Sequence, residues 1–274
     1  IALFCKYLIQ HTAPEYQNFY NVLHLLNTFS YAPEKIDKLI VETNNKALIS
    51  EYKAFVAYGD KTLMSIVATC RAALTVFSDP SVATVTSTDT IDLELLRTKP
   101  VAIFINNSVK DMRYYSVISS IFFEQFWGAI MSRIPSDAER PIFFLLDEAS
   151  SLYLSSLPVT ISNIRKSKAG ILLIFQSYSQ IADSYGAQQA KNIAANCFSK
   201  VYMPGQPIDV AQELEATFGK FEYLDDKNIR HIRPLMTADE IRKSEDVIIL
   251  CGNHPPIKTQ SVPYFEQFKL SRLS

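Results

Sequence analysis

Glycine is scarce in this chain. There are seven in 274 residues, and none opens a G-x-x-x-x-G-K-[ST] loop, the turn whose backbone amides cradle nucleotide phosphates. Gly59-Asp60-Lys61-Thr62 is a superficial near miss without the glycine-rich turn. An excess of one charge is also absent. The formal net charge is −1, which argues against strong nonspecific binding of nucleic acid by the whole surface but leaves room for a local basic lining in an oligomer. The four cysteines, Cys5, Cys70, Cys197 and Cys251, are widely scattered. They fit neither a disulfide scaffold nor a C-x-x-C metal site, so packed, reduced thiols are expected. The four histidines form no H-x-x-x-H or H-E-x-x-H pattern, and no metal is assigned to them.

A membrane-spanning run is missing too. The most apolar long stretch, Tyr114 to Ile134, contains Glu124 and Gln125 and is flanked by Arg113 and Arg133. A central glutamate is costly in lipid. Apolar residues at 114, 118, 121, 122, 126 and 130 instead predict a helix packed on a sheet. Hydrophobic residues make up 48% and charged residues 20% of the 31.0 kDa chain. This balance supports a substantial core in one large domain or two small ones.

What is present begins with Pro141-Ile142-Phe143-Phe144-Leu145-Leu146-Asp147-Glu148. Five apolar residues read as a buried strand that ends on two adjacent carboxylates. In phosphoryl-transfer sites of this shape the first acid holds Mg²⁺, usually through water, and the second activates the attacking water. The same shape also closes ordinary buried strands with an acidic loop. About thirty residues on, Ile171-Leu172-Leu173-Ile174-Phe175 reads as a second strand, followed by Gln176-Ser177. The stretch between, Ser155 to Lys168, has helical character and carries Arg165, Lys166 and Lys168. A strand–helix–strand unit makes the two strands parallel, and carboxyl ends of parallel strands converge on one crevice. Asp147, Glu148 and Gln176 are therefore expected to face one ligand. Gln176 is either a γ-phosphate-sensing amide or an ordinary loop amide.

Up to about residue 88 no strand is predicted. Pro14 and Pro33 sit where first-turn prolines belong. Ile36, Leu39, Ile40, Ala47, Leu48, Tyr52, Phe55 and Val56 keep helical spacing, and a further helix runs from about Lys61 to Phe77. From about residue 89 strands and helices alternate. Strands are expected at 101–105, 142–146, 171–175, 200–203 and 247–251. Helices are expected near 112–134, 155–168, 187–198, 208–218 and 237–243, the last opened by a Thr237/Glu240 capping box. The strands are apolar without alternation, as in sheets covered on both faces. The expected fold class is α/β, a doubly wound parallel sheet with an all-α domain, divided 1–88 and 89–274.

The segment Phe144-Leu145-Leu146-Asp147-Glu148-Ala149-Ser150-Ser151-Leu152 resembles the Walker B region of type IV secretion coupling proteins, the TraG/TraD conjugation ATPases related to the FtsK and HerA translocases. Other segments agree in the family's order. They include Arg71-Ala72-Ala73-Leu74 to Pro80, Ile174-Phe175-Gln176-Ser177-Tyr178-Ser179-Gln180-Ile181, Tyr185-Gly186, Ile193 to Cys197, Leu235 to Ile241 and Gly252 to Lys258. The resemblance covers nearly all of the chain from about Lys61 onward. It implies a RecA-like P-loop NTPase sheet, incomplete because its first strand and phosphate loop are missing, with residues 1–88 matching a helical insertion.

By the same resemblance the intact protein binds ATP and Mg²⁺, with Asp147 on the metal, Glu148 on the water and Gln176 on the γ-phosphate. It is a homo-hexamer at the cytoplasmic face of the bacterial inner membrane. It drives single-stranded DNA and attached relaxase, with relaxosome proteins, into a type IV secretion channel. Arg165 is either an arginine finger reaching a neighbouring subunit's nucleotide or part of a solvated helix face. Asn196 reads as a helix-cap amide rather than a residue that positions the motor segments, and Lys227, Arg230, His231 and Arg233 as ordinary surface rather than a DNA-facing cluster. The family carries N-terminal membrane helices and this chain starts at Ile1, so the expectation is a C-terminal piece cut after the phosphate loop, inactive by itself. A sheet lacking its first strand is expected to self-associate or distort. Another FtsK/HerA-like translocase and a catalytically inactive interaction module are the competing readings.

Overall fold

The computed structural model describes residues 1–106 and 110–267. They fall into two compact units, Ile1–Tyr185 and Gly186–Ser274.

The first unit begins with helices α1 (Ala2–His11), α2 (Phe19–Tyr31), α3 (Pro33–Glu42), α4 (Lys46–Val56), α5 (Asp60–Leu74) and α6 (Pro80–Val85). Local chemistry sets their starts. Asn18 and Asn45 accept the first-turn amides of α2 and α4. Asp79 caps α6 with Pro80 in its first turn, and Pro33 opens α3. A proline there costs no hydrogen bond, because that amide has no helical partner. The helices close over a core containing Phe4, Leu26, Phe29, Ile36, Ile40, Tyr52, Val67 and Phe77. Gly59 caps α5 with φ 79°, so Gly59-Asp60-Lys61-Thr62 is an ordinary helix start.

After α7 (Leu95–Thr98) comes the 20-residue α8 (Met112–Met131). Its Tyr115, Ile118 and Ile121 pack on the helical core. One turn further, Phe123, Phe126 and Trp127 surround Phe144 of strand β1 (Ile142–Leu146), with ring centroids 6.2, 5.2 and 5.9 Å away. The apolar residues of α8 thus serve a buried helix, as their spacing predicts. No helix among the described residues is long and apolar enough to cross a membrane. Past β1, the short α9 (Leu157–Asn163) runs into a 3₁₀ turn at Ile164–Ser167 and then strand β2 (Ala169–Leu173). β1 and β2 pair in parallel, Ile142 opposite Ala169 and Leu146 opposite Leu173. The unit ends with α10 (Tyr178–Tyr185).

The second unit holds α11 (Ala187–Asn196), β3 (Ser199–Tyr202), α12 (Ile208–Phe218), β4 (Lys220–Leu224), β5 (Arg230–Pro234), α13 (Ala238–Lys243), β6 (Asp246–Cys251) and β7 (Ile257–Gln260). Ala211, Leu214, Ile241 and Ile248 form its core. The capping box at α13 is complete: Thr237 accepts the Glu240 amide, and the Glu240 carboxylate accepts the Thr237 amide.

Two expectations about the sheet are corrected. Val101–Ile105 is apolar but joins no strand, and Phe104 is 86% exposed. Apolar sequence makes a strand only where a ladder partner meets its backbone. Nor do the strands form one five-stranded parallel sheet. β1–β2 is parallel, β3–β6–β7 is antiparallel, and β4–β5 is a separate antiparallel hairpin. β1 also alternates: Phe144 and Leu146 are buried, Phe144 against α8, whereas Phe143 and Leu145 are exposed. The residues carry the apolarity of a doubly covered strand, but only one face is covered. What this chain has is a partial α/β domain.

Candidate functional site

The parallel pairing of β1 and β2 brings their carboxyl ends to one rim. The ladder continues past the strands: the Ile174 amide donates to the Leu146 carbonyl at 3.0 Å, and the Ala149 amide donates to the Ile174 carbonyl at 2.9 Å. Asp147 and Glu148 lie between those two rungs. Gln176 lies two residues beyond the second rung's acceptor. All three are exposed. The structure thus brings the three to one rim of the β1–β2 pair.

The backbone turns sharply at the acid pair. Glu148 has φ 54°, in the left-handed region, which is unfavourable for a residue with a β-carbon. Its amide is satisfied by its neighbour, donating to Asp147 Oδ1 at 3.1 Å. Among the described residues the Glu148 carboxylate meets no hydrogen-bond donor and no cation. Gln176 is held by its backbone, which donates to Gln180 Oε1 at 3.1 Å, and its side chain is likewise without a protein partner among the described residues. No group of three or more His, Cys, Asp or Glu gathers among the described residues in a way that could hold a metal. That donor set suits an ion carried in largely by nucleotide and water, with one protein carboxylate, which is how Mg²⁺ is commonly bound.

Arg165 is elsewhere. It lies in the turn that enters β2, at the amino-end rim, and is exposed. A five-residue strand separates it from the acid rim by about 16 Å. Arg97, which no sequence pattern singled out, dominates this amino-end rim. It is 6% exposed, and its guanidinium donates to the carbonyls of Arg140 at 3.0 Å, Ser167 at 2.6 Å and Lys168 at 3.4 Å. These carbonyls immediately precede β1 and β2. Burial lowers its pKa, opposed by nearby Glu139 and Glu94 and aided by Arg133.

Two more residues escaped the sequence reading. Glu124, projecting from α8, accepts the Ser155 hydroxyl at 3.0 Å and the Ser156 amide at 2.9 Å. Burial pushes its pKa up, but the Ser156 and Ser155 donors outweigh it and hold the carboxyl below its ordinary value. Tyr185, at the end of α10, accepts the Leu154 amide at 2.9 Å and donates to the Leu152 carbonyl at 3.4 Å. Burial raises its pKa; the Leu154 bond opposes this. A lone carboxylate in an otherwise apolar helix was the available signal for Glu124. Nothing in residue spacing pointed to Tyr185.

The remaining candidates are in the second unit. Asn196 ends α11 with its side-chain amide on the Asn192 carbonyl at 2.8 Å. Arg230, His231 and Arg233 on β5 each face an acid, Glu222, Asp225 and Glu240. Lys227 is exposed in the hairpin turn.

The chain is 25% identical over 218 residues to VirD4 of Agrobacterium fabrum (strain C58), covering 73% of this chain and 33% of that protein. It is 23% identical over 241 residues to a probable conjugal transfer protein TraG of Sinorhizobium fredii, covering 81% and 38%. The chain thus spans about a third of the length of these relatives. Among solved structures, the bacterial conjugative coupling protein TrwBdeltaN70 in complex with sulphate superposes with a TM-score of 0.68 at 20% identity, over 90% of this chain and 58% of that one. TrwB in complex with ADP and Mg²⁺ gives 0.60 at 20% identity, over 90% and 62%. The fold is accordingly that of part of TrwB. The family model described as type IV secretory system conjugative DNA transfer matches residues 31–273. The chain belongs to this family of type IV secretory conjugative DNA-transfer proteins.

Proposed function

We propose that this chain is the catalytic carboxyl-terminal portion of a coupling protein that uses ATP hydrolysis to move single-stranded DNA and its attached relaxase into a type IV secretion channel. The carrying observation is the meeting of Asp147, Glu148 and Gln176 at one rim through the Ala149–Ile174 and Ile174–Leu146 hydrogen bonds. TrwB with ADP and Mg²⁺ supports the choice of nucleotide and metal. On this reading Asp147 holds Mg²⁺, Glu148 takes a proton from the attacking water, and Gln176 hydrogen-bonds the γ-phosphate. When bound, Mg²⁺ would offset charge on the phosphates. Glu148 is suited to its role because no donor among the described residues competes for its carboxylate.

The remaining assignments belong to the same reading. A segment outside these 274 residues supplies the phosphate loop. The working assembly is a homo-hexamer on the cytoplasmic face of the inner membrane. Residues 1–88 form a helical domain and 89–274 the motor part, although β1–β2 shares a compact unit with the helices. Arg165, at the far rim and exposed, serves the nucleotide of a neighbouring subunit.

The test is hydrolysis by this chain and by a version extended upstream through the phosphate loop. The short form should not turn over ATP. In the long form Glu148→Gln should stop turnover while nucleotide still binds. Undiminished turnover in that variant defeats the assignment, and an extended form that neither binds nor hydrolyses ATP favours a non-catalytic interaction module.

A further inference from the structure

The loop that follows the acid pair, residues 149–156, is held from two directions. From α8 come the Ser120 hydroxyl, which donates to the Tyr153 carbonyl at 2.8 Å, and the Glu124 carboxylate on Ser155 and Ser156. From α10 comes Tyr185, whose hydroxyl bonds Leu154 and Leu152 and whose ring stacks on Tyr153 at 5.3 Å with a 26° interplanar angle. The two supports differ in what they are attached to. α8 is seated on the helical core. α10 starts two residues after Gln176, at Tyr178, and its first turn holds the Gln176 amide through Gln180.

The geometry points to Tyr185 as a positioning residue that ties the Gln176 end of β2 to the acid-bearing end of β1. A displacement of Gln176, transmitted along the eight-residue α10, reaches the loop behind Glu148 through the Tyr185 hydroxyl. Without that hydroxyl the Tyr153 stack and the two backbone rungs remain, but the hydrogen bonds to Leu152 and Leu154 are lost. Tyr185 touches neither nucleotide nor water. It sets where Glu148 stands relative to Gln176, and a misplacement of about 1 Å in such a group costs up to about a hundredfold in rate. This inference rests on the ATPase reading for its consequence in turnover, but not for the mechanical link itself.

Tyr185→Phe separates the hydroxyl from the ring, since phenylalanine keeps the stack on Tyr153. In this chain the variant is expected to speed amide hydrogen exchange of Leu154 and its neighbours in 149–156 about fivefold, the effect of one lost hydrogen bond. Exchange in α1–α6 should be unchanged. In the extended protein it is expected to lower kcat between about ten- and a hundredfold while leaving KM for ATP near wild type. Unaltered exchange in 149–156 overturns the link whatever the activity. Faster exchange with wild-type kcat, in a protein that Glu148→Gln inactivates, overturns the positioning role. If Glu148→Gln itself leaves turnover intact, it is the ATPase reading that fails, and exchange alone judges the link.

Discussion

The two rims of the β1–β2 ribbon each carry a left-handed residue that is not glycine, and the protein treats them differently. At the amino-end rim Lys168 has φ 47°. Its ammonium donates to the carbonyls of Ser136 and Asp137, each at 2.9 Å, and beside it Arg97 satisfies three more carbonyls. At the carboxyl-end rim Glu148 has φ 54°, and among the described residues its exposed carboxylate meets no donor and no cation. A strained backbone persists only where its surroundings hold it there. At Lys168 the hydrogen bonds explain the strain. At Glu148 no side-chain bond among the described residues accounts for it, which is the contrast that the proposed role of Glu148 in hydrolysis would explain.

The contrast can be broken most directly at Glu148. In the extended protein Glu148→Gln should reduce hydrolysis by a factor of about 10² to 10⁴, the usual contribution of a general base, with no loss of thermal stability. A large fall in melting temperature would mean that the carboxylate supports the fold after all. Next in size is Arg97→Ala, expected to cost about 2–3 kcal/mol in urea unfolding, because a buried charged donor to one buried and two part-buried carbonyls is removed. Arg97→Lys should recover part of it. A cost near zero would place the amino-end rim in the same class as the acid rim.

A finer comparison uses glycine at both left-handed positions. Glu148→Gly should stabilise by about 1 kcal/mol, since glycine accepts that backbone without steric penalty. Lys168→Gly should gain nothing, because it also loses two hydrogen bonds. Equal gains at the two sites would erase the difference.

The smallest effect is a pH dependence near the amino-end rim. The Arg133 guanidinium, followed by the Ser136 amide, holds the Glu139 carboxyl down at about 2 from its ordinary 4.5. Its contribution is therefore complete above about pH 4.5 and is lost as the pH falls toward 2, where the unfolded chain has taken up a proton that the folded chain refuses. Melting temperatures of Glu139→Gln should show a shallower acid decline than wild type. Parallel curves would exclude Glu139 as a contributor.

Much of this was legible beforehand, for identifiable reasons. β1 was readable because five apolar residues end abruptly on two acids. α8 was readable because its apolar positions follow a helical period, and α13 because Thr237 and Glu240 have capping-box spacing. The common rim of Asp147, Glu148 and Gln176 followed from the parallel direction that a strand–helix–strand unit gives its two strands. The failures have an equally definite cause. Val101–Ile105 has strand composition, and β3 and β6 have the apolar runs of parallel strands. Strand existence and direction depend on which backbone arrives alongside, and that partner is not encoded nearby. Tyr185, Arg97 and Glu124 were invisible as functional neighbours for the same reason: they lie 31, 43 and 31 residues from the groups they hold.

What residue order settled by itself is local. It set where helices start, which positions are apolar, and that two carboxylates follow a strand, because capping, periodicity and composition act over a few residues. Folding settled the rest. It left one face of β1 open, turned β3 and β6 antiparallel, and gave one rim its cation clamp while leaving the other rim's acids exposed, because those outcomes depend on contacts between segments far apart in the chain.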